Sequence, residues 1–491
     1  MSVIIPIYDI RSHSQLEDTI EKELTIEFHK STGKKPIIAF KRTDEGHMIC
    51  PLDYGLQLIK KYNMFDMTDV GRPRVHFNSL IPLRPEQEQI VTDILRLMCQ
   101  PDATGDCRRT ALLAAFTSAG KTMMSTHIAQ RIGMLTLIVL ISTTLIRQWI
   151  NEFAIASDAI ILVIGSGAKG DEYYYRGKKL PTPAQGQSYN VSIIICMIMR
   201  LKKLPYELRV SIGLLIMDEA HQFCSVERCN DILDVFPWGV LLCTATPDRD
   251  DGSTKLLSLI CGDRGVTKYR TGVTTVQVIR TIFAPVIVSR QDGKPDWTKA
   301  KQSLYYDNER NVLIVRRAVL NLPKRTLIMV DEIKHANMLV ELLKAAGISS
   351  CALTGETKEG EYFPADVVVA THHKAGTGFD EGNYVARELK ATLQPIEIML
   401  IVFTMKMIYL LSQFTGRVRT ANPIIQYIRD NGTTLTKHYN AFLKSFEHIT
   451  RVIEDIIVTR EDDEYEFVTI GSYEHKPIEM PEIECGYDNG S

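Results

Sequence analysis

Short, almost uninterrupted apolar runs recur along this chain of 491 residues, and they constrain its fold more than any other feature. Between Leu83 and about Cys261 they read TALLAAF, LTLIVLI, VSIIICMI, IGLLIM and GVLLCT, each followed by a polar turn and then by helical periodicity. A strand with one wet face alternates apolar and polar residues, whereas a strand covered on both faces does not. These runs therefore predict parallel strands buried between helices. A second series, RTLIMV, SSCALT, ADVVVA and IEIMLIVF, begins after a less patterned stretch. The expected fold is α/β: two tandem doubly wound parallel-sheet domains with a small N-terminal accessory domain. The expected boundaries are an accessory domain over 1–80, a first sheet domain over 81–270, a linker over 271–305 and a second sheet domain over 306–456. An acidic tail over 457–491, carrying EDDEYE and EMPEIE, reads as solvated chain.

Composition narrows the partners. The formal net charge is -2, so no global positive field draws in nucleic acid, and any such binding has to come from a local groove. The ten cysteines form no CxxC pair; even Cys224 and Cys229, close to His221, read as reduced thiols of an intracellular protein rather than zinc ligands. The start, MSVIIPIYDIRS, lacks the basic flank and long apolar stretch of a signal peptide. The greasiest segment, from Ile396, is interrupted by Glu397 and Lys406 and falls short of the roughly 20 apolar residues that a membrane span needs. No membrane role is expected.

The chemistry concentrates at the ends of the first series of runs. Thr117, Ser118, Ala119, Gly120, Lys121 and Thr122 form TSAGKT between a strand and a helix, where backbone N–H groups and the helix dipole favour a phosphate. Lys121 would meet the β- and γ-phosphates of a nucleotide, and the Thr122 hydroxyl would ligate Mg²⁺. The full phosphate-loop pattern has glycine where this chain has Ala115. In LLIMDEAH, Asp218 and Glu219 directly follow a strand; Asp218 can hold the Mg²⁺ hydration shell, and Glu219 can orient and deprotonate an attacking water. CTATPDRDDG brings Thr244 and Thr246 to the same sheet edge, where their hydroxyls can bond to the acidic pair.

In this order and spacing, the phosphate loop, DEAH and TATP resemble a superfamily 2 helicase, whose phosphate loops often lack the first glycine. That resemblance, over about 83–425, implies two RecA-like domains, ATP and Mg²⁺ as cofactors, and hydrolysis coupled to movement on nucleic acid. His221, the last residue of DEAH, joins the nucleotide site by the same match. LRPEQ resembles the adenine-recognition segment, with Gln87 on the base edge and Arg84 nearby. ISTTLIRQW resembles the segment lining the nucleic-acid path, where Thr143 would touch the strand backbone; Trp149 reads as core. QFTGRVRT resembles the second-domain arginine segment. Gln413 and Arg417 match it by position, and Arg419 stands one residue before the slot of the final arginine, which Thr420 occupies. In the family, both arginines reach toward the γ-phosphate. VVVATHHKAGTGFD resembles the segment that joins the two sites, with Thr371 on a strand phosphate and Asp380 on the ATP ribose. ALTGET supplies Thr354 as a further backbone contact. TATPDRDDG looks like the branch that includes XPB-type DNA translocases and phage recombination helicases. The long AGTGFD spacing is similar to transcript-release DNA helicases of large cytoplasmic DNA viruses. The resemblance therefore favours DNA over RNA as partner. It leaves transcription or replication machinery as the partner for residues 1–80 or the acidic tail. The expected location is intracellular, whether cytoplasm, nucleus, viral factory or virion.

Overall fold

The computed structural model describes residues 1–28, 35–101, 105, 107–116, 119–165, 170–245, 254–262, 264–268, 272–357, 362, 364–376, 381, 385, 393–404, 411, 418, 420, 422–461 and 464–477. The chain divides into two compact units, Met1–Lys268 and Tyr269–Met480. Every apolar run named above contains a strand.

Among the described residues the first unit is built on a nine-stranded sheet. Its parallel centre runs Ile160–Val163, Ile193–Met197, Thr136–Leu140, Leu214–Asp218, Gly239–Thr244, Thr110–Ala115 and Gly265–Lys268, in that spatial order. An antiparallel hairpin, Glu172–Tyr175 with Lys178–Leu180, closes one edge. Successive side chains on a strand point to opposite faces, and both faces here are covered. Leu137, Val139, Leu215 and Met217 enter one core, while Ile138, Leu140, Leu214 and Ile216 enter the other. That double burial is why the strands read as unbroken apolar runs.

The helices Pro85–Cys99, Lys121–Ile132 and Thr143–Ala156 cover the second face. The first face is covered in part by residues 1–64, whose three-stranded sheet and helices place Val3, Ile5, Met48 and Leu52 in the same core as Leu137 and Met217. The Ser2 amide also donates to the Val235 carbonyl at 3.1 Å. The segment expected as an accessory domain over 1–80 is thus one layer of the first unit, because it has no core of its own.

The second unit carries an eight-stranded sheet among its described residues. Its order is Ser350–Leu353, Val367–Thr371, Thr326–Val330, Ile398–Ile401, Ile424–Arg429, Thr274–Arg280, Arg451–Glu461 and Glu464–His475. All pairings are parallel except the last. Two expectations are corrected here. The linker over 271–305 contains Thr274–Arg280, an interior strand of this sheet, and the helix Trp297–Tyr305. The solvated tail from 457 contains the end of one long strand and the whole of the next, up to His475. Tyr465 and Phe467 turn inward between the exposed Glu464 and Glu466, and the β-branched residues after them favour a strand, which the acid count concealed.

A fully buried ion pair ties this sheet to the helix Asn308–Asn321. Arg310 donates from Nε and Nη2 to the Asp430 carboxylate at 2.9 to 3.1 Å and from Nη2 to the Val402 carbonyl at 2.7 Å. Both charged side chains are 0% exposed. Removing one partner leaves the other charge buried and unmatched, so Arg310→Met is expected to cost about 3–5 kcal/mol in unfolding experiments. Adding Asp430→Leu should recover much of that loss. A single variant as stable as the parent would contradict the pairing.

Candidate active site

Three neighbouring strands end together at one edge of the first sheet: Leu214–Asp218, Gly239–Thr244 and Thr110–Ala115. Because they are parallel and in register, with Asp218 opposite Cys243 and Thr244 opposite Ala114, their carboxyl ends deliver Asp218, Thr244 and the phosphate loop side by side. Ala115, where the full loop pattern has glycine, is an ordinary buried strand residue paired with Lys268, so alanine meets no conformational demand there. Gly120 is different. It sits at φ +88°, a conformation open to glycine, and a Cβ on it would lie 2.4 Å from Gln87 Nε2. It ends the loop and starts the helix Lys121–Ile132, whose first residues are Lys121 and the buried Thr122.

The Lys121 ammonium donates to the Ala115 carbonyl at 3.0 Å. Gln87 holds the loop from the other side: its Nε2 donates to the Ala119 carbonyl at 2.9 Å, while its Oε1 accepts from the Arg84 amide at 3.1 Å. Arg84 Nη2 reaches the same Ala119 carbonyl at 3.4 Å. Gln87 and Arg84 are therefore placed against the loop, with the Gln87 amide donating one hydrogen bond and accepting one within the protein.

Asp218 is buried, and its carboxylate is shaped by three neighbours. Trp149 Nε1 donates to Oδ2 at 3.0 Å, and the Glu219 amide donates to Oδ1 at 3.0 Å. Burial, then the charge of Glu219, push the Asp218 carboxyl up to about 6, against the opposing pull of Lys121 and the two hydrogen bonds. Glu219 turns the chain at φ +54°, a left-handed conformation rare for a residue with a side chain, and such strain collects at working sites. Its Oε2 is buried without a hydrogen-bond partner and lies 3.7 Å from His221 Nδ1. His221 Nδ1 in turn meets Thr244 Oγ1 at 2.9 Å, both residues being fully buried. A lysine, a helix amino end, a desolvated carboxylate and an under-satisfied second carboxylate thus share one edge. That donor set fits a nucleotide's phosphates with a divalent cation.

Comparison with known proteins agrees. Residues 80–249 match the family described as type III restriction enzyme, res subunit. The chain is 25% identical over 409 residues to a protein of Invertebrate iridescent virus 6 named as helicase 161L, covering 76% of this chain and 86% of that one. It is 29% identical over 205 residues to a protein named as helicase 109L of Invertebrate iridescent virus 3, covering 41% and 57%. It is 25% identical over 247 residues to a protein of African swine fever virus named as ATP-dependent RNA helicase QP509L, covering 48% and 44%. Together these matches support a superfamily 2 helicase. The same relatives and the matched family support ATP-hydrolysing helicase activity.

Within this helicase the remaining expected residues fall into distinct settings. Ser142, standing where the family has proline, caps the helix Thr143–Ala156 by accepting from the Leu145 amide at 3.4 Å, and it leaves Thr143 exposed on the first turn. Thr354 and Thr371 follow or end strands of the second unit, yet both are buried, and Thr354 Oγ1 accepts from the Glu356 amide at 3.2 Å. Glu381, next to Asp380, is held by Arg325 at 2.6 and 3.1 Å and by Tyr362. Thr117, Ser118, Thr246, Asp380, Gln413, Arg417 and Arg419 lie outside the described residues. Among the described residues, no group of three or more His, Cys, Asp or Glu side chains could hold a metal ion by itself, and no helix is long and apolar enough to cross a membrane.

Sequence reasoning put Trp149 in the core and missed its bond to Asp218; only the adjacency of their elements shows it. Trp149→Phe keeps an aromatic ring in place but removes a donor to the charged form, so the Asp218 carboxyl should titrate higher still in nucleotide-free protein. A bond worth roughly 1–1.5 kcal/mol corresponds to about one pH unit. Carbon-13 carboxyl shifts followed from pH 4 to 8 read the change, and an unmoved titration would contradict the assignment.

Proposed function

We propose that this helicase translocates on or unwinds a nucleic-acid strand, DNA in preference to RNA, in transcription, recombination or repair. The observation that supports the chemistry best is the shared edge of Lys121, Asp218 and Glu219, because two carboxylates and a lysine at one sheet edge suit hydrolysis of a magnesium-bound triphosphate. ATP with Mg²⁺, when bound, supplies the scissile phosphoanhydride and the charge that activates it.

The chain's own groups then divide the work. Lys121 and the loop amides through Thr122 bind the β- and γ-phosphates, giving up the Ala115 carbonyl that Lys121 now caps. Thr122 and Asp218 would hold the cation, and its charge would favour the ionised form of the Asp218 carboxyl. Glu219 takes the proton from the attacking water; its unpartnered oxygen has the free capacity to do so. His221 couples Glu219 to Thr244 at the end of the neighbouring strand, with Thr246 beside it in sequence. Gln87 and Arg84 recognise adenine once the amide exchanges the Ala119 carbonyl for the base. Arg417, with Arg419 helping, contributes positive charge at the γ-phosphate, Gln413 couples that segment to turnover, and Asp380 holds the ribose. Thr143, Thr354 and Thr371 contact the strand backbone, the last two through backbone N–H groups given their buried side chains. The DEAH and TATP segments favour the branch of XPB-like and viral DNA helicases.

An RNA substrate is the second reading, and the name of the African swine fever virus relative favours it. Viral factory or virion is the location that the viral relatives suggest. ATPase rates of the purified protein, alone and with single-stranded DNA, duplex DNA and RNA, test the proposal. Stimulation of at least tenfold by DNA is expected, with Lys121→Ala lowering every rate by about a hundredfold or more, as loss of major charge stabilisation does. Rates indifferent to every polynucleotide would overturn the motor, and preferential stimulation by RNA would decide for the second reading.

A further inference from the structure

We propose that the second unit holds a separate phosphate-binding cavity at the carboxyl edge of its sheet. It lies at the ends of three adjacent strands, Ile398–Ile401, Ile424–Arg429 and Thr274–Arg280. The cavity measures about 310 Å³ and is lined by Thr281, Thr404, Arg429, Asn431, Thr433 and Thr436, with the Tyr427 and Tyr439 rings behind them.

The charges around it leave one cation to spare. Arg280 is taken by Asp455 in a two-pronged pair at 3.0 and 2.7 Å. Asp430 is neutralised by buried Arg310 and also accepts from Thr281 Oγ1 at 2.9 Å. Arg429 makes no ion pair among the described residues; its guanidinium lies 4.0 Å from the Tyr439 ring centre, stacked and held in place rather than neutralised. The lining therefore combines hydroxyl and amide groups with one guanidinium that has no carboxylate of its own, beside the Asp430 carboxylate that Arg310 and Thr281 already satisfy.

A second observation is independent of that charge. Thr404 lines the cavity, is only 7% exposed, and its buried Oγ1 has no hydrogen-bond partner. Nearly all buried hydroxyls in folded proteins are satisfied, so this one asks for a partner that the chain does not supply. The amino end of the helix Thr436–Lys444, with the single turn Thr433–Leu435 before it, completes the wall. Helix amino ends favour anions. Gly432, at φ +132°, lets the chain turn between strand and helix. Hydroxyls, a guanidinium and a helix amino end converging from different elements suit a tetrahedral oxyanion better than a planar or cationic group.

Because the cavity shares the carboxyl edge with Thr371, the phosphate it takes is either a phosphodiester of a bound strand or a free phosphate or mononucleotide. The strand source rests on the motor reading above; the cavity itself does not. Both are tested on the full chain with Thr404→Val, Arg429→Ala and the charge-keeping Arg429→Lys, each checked by thermal unfolding. If a strand phosphate binds here, the first two variants weaken single-stranded polynucleotide several-fold. Arg429→Ala then lowers the slope of log affinity against log salt by about 0.7, one phosphate contact. Arg429→Lys keeps that slope, and ATPase without polynucleotide stays at the parent rate. If free phosphate is the ligand, calorimetry with inorganic phosphate and AMP shows the loss instead, while polynucleotide affinity is unchanged. Protection of Arg429 from phenylglyoxal by phosphate, AMP or polynucleotide, mapped by peptide mass, needs no variant. Protection with no polynucleotide binding by the parent would sink the motor and keep the cavity. Folded variants with parent affinities for all three ligands, and an Arg429 that none protects, would overturn the proposal.

Discussion

A carboxylate taken out of water must be matched by something, and Asp218 is the group around which the first unit is arranged. It stands at the end of an interior strand, buried, with an indole N–H and its neighbour's amide as hydrogen-bond donors. Burial and the adjacent Glu219 hold its carboxyl well above the ordinary carboxylate range. The strands on its flanks are what make that arrangement possible. Parallel register brings Thr244 and the phosphate loop alongside, and the same register fixes the loop's distance from the acidic pair. The apolar runs that first suggested a sheet are therefore also the means by which the site is assembled.

The second unit repeats the device with different charges. Its sheet is held to its helices by Arg310 with Asp430, and Arg325 with Glu381 is a further pair, 9% exposed on each side. Such pairs add little net stability compared with apolar packing, but they tolerate few alternative arrangements. Both lie close to segments with expected or inferred work: Glu381 beside Asp380, and Asp430 beside Arg429 and the cavity.

What the sequence made legible follows from the same physics. Strands buried on both faces announce themselves as continuous apolar runs, so both sheets were readable, and Asp218 was placed by the strand before it. Strands with a wet face did not announce themselves so plainly. Thr274–Arg280 mixes threonine, glutamine and arginine with valine, and Glu464–His475 looked like solvated acid because Glu464, Glu466 and Glu474 punctuate it. The joining of residues 1–64 to the first core brings residues as far apart in sequence as Val3 and Leu137 into one cluster, which no local pattern encodes. Within the site, residue types were legible but their present partners were not. Gln87 on the Ala119 carbonyl, Lys121 on the Ala115 carbonyl and Trp149 on Asp218 are all tertiary hydrogen bonds. The backbone of Glu219 in the left-handed region could not be foreseen from a motif either.

The two acids are assigned different tasks from their settings, one buried and bonded, the other with an oxygen to spare. Binding of Mg²⁺·ATP and its single-turnover hydrolysis by Asp218→Asn and Glu219→Gln separate those tasks directly. The account predicts that Asp218→Asn loses affinity for Mg²⁺·ATP more than for ATP alone. It predicts that Glu219→Gln binds Mg²⁺·ATP as the parent does while hydrolysis falls by about a hundredfold or more, the scale of a lost general base. Parent-like hydrolysis by Glu219→Gln, or Mg²⁺ dependence unchanged in Asp218→Asn, would contradict it.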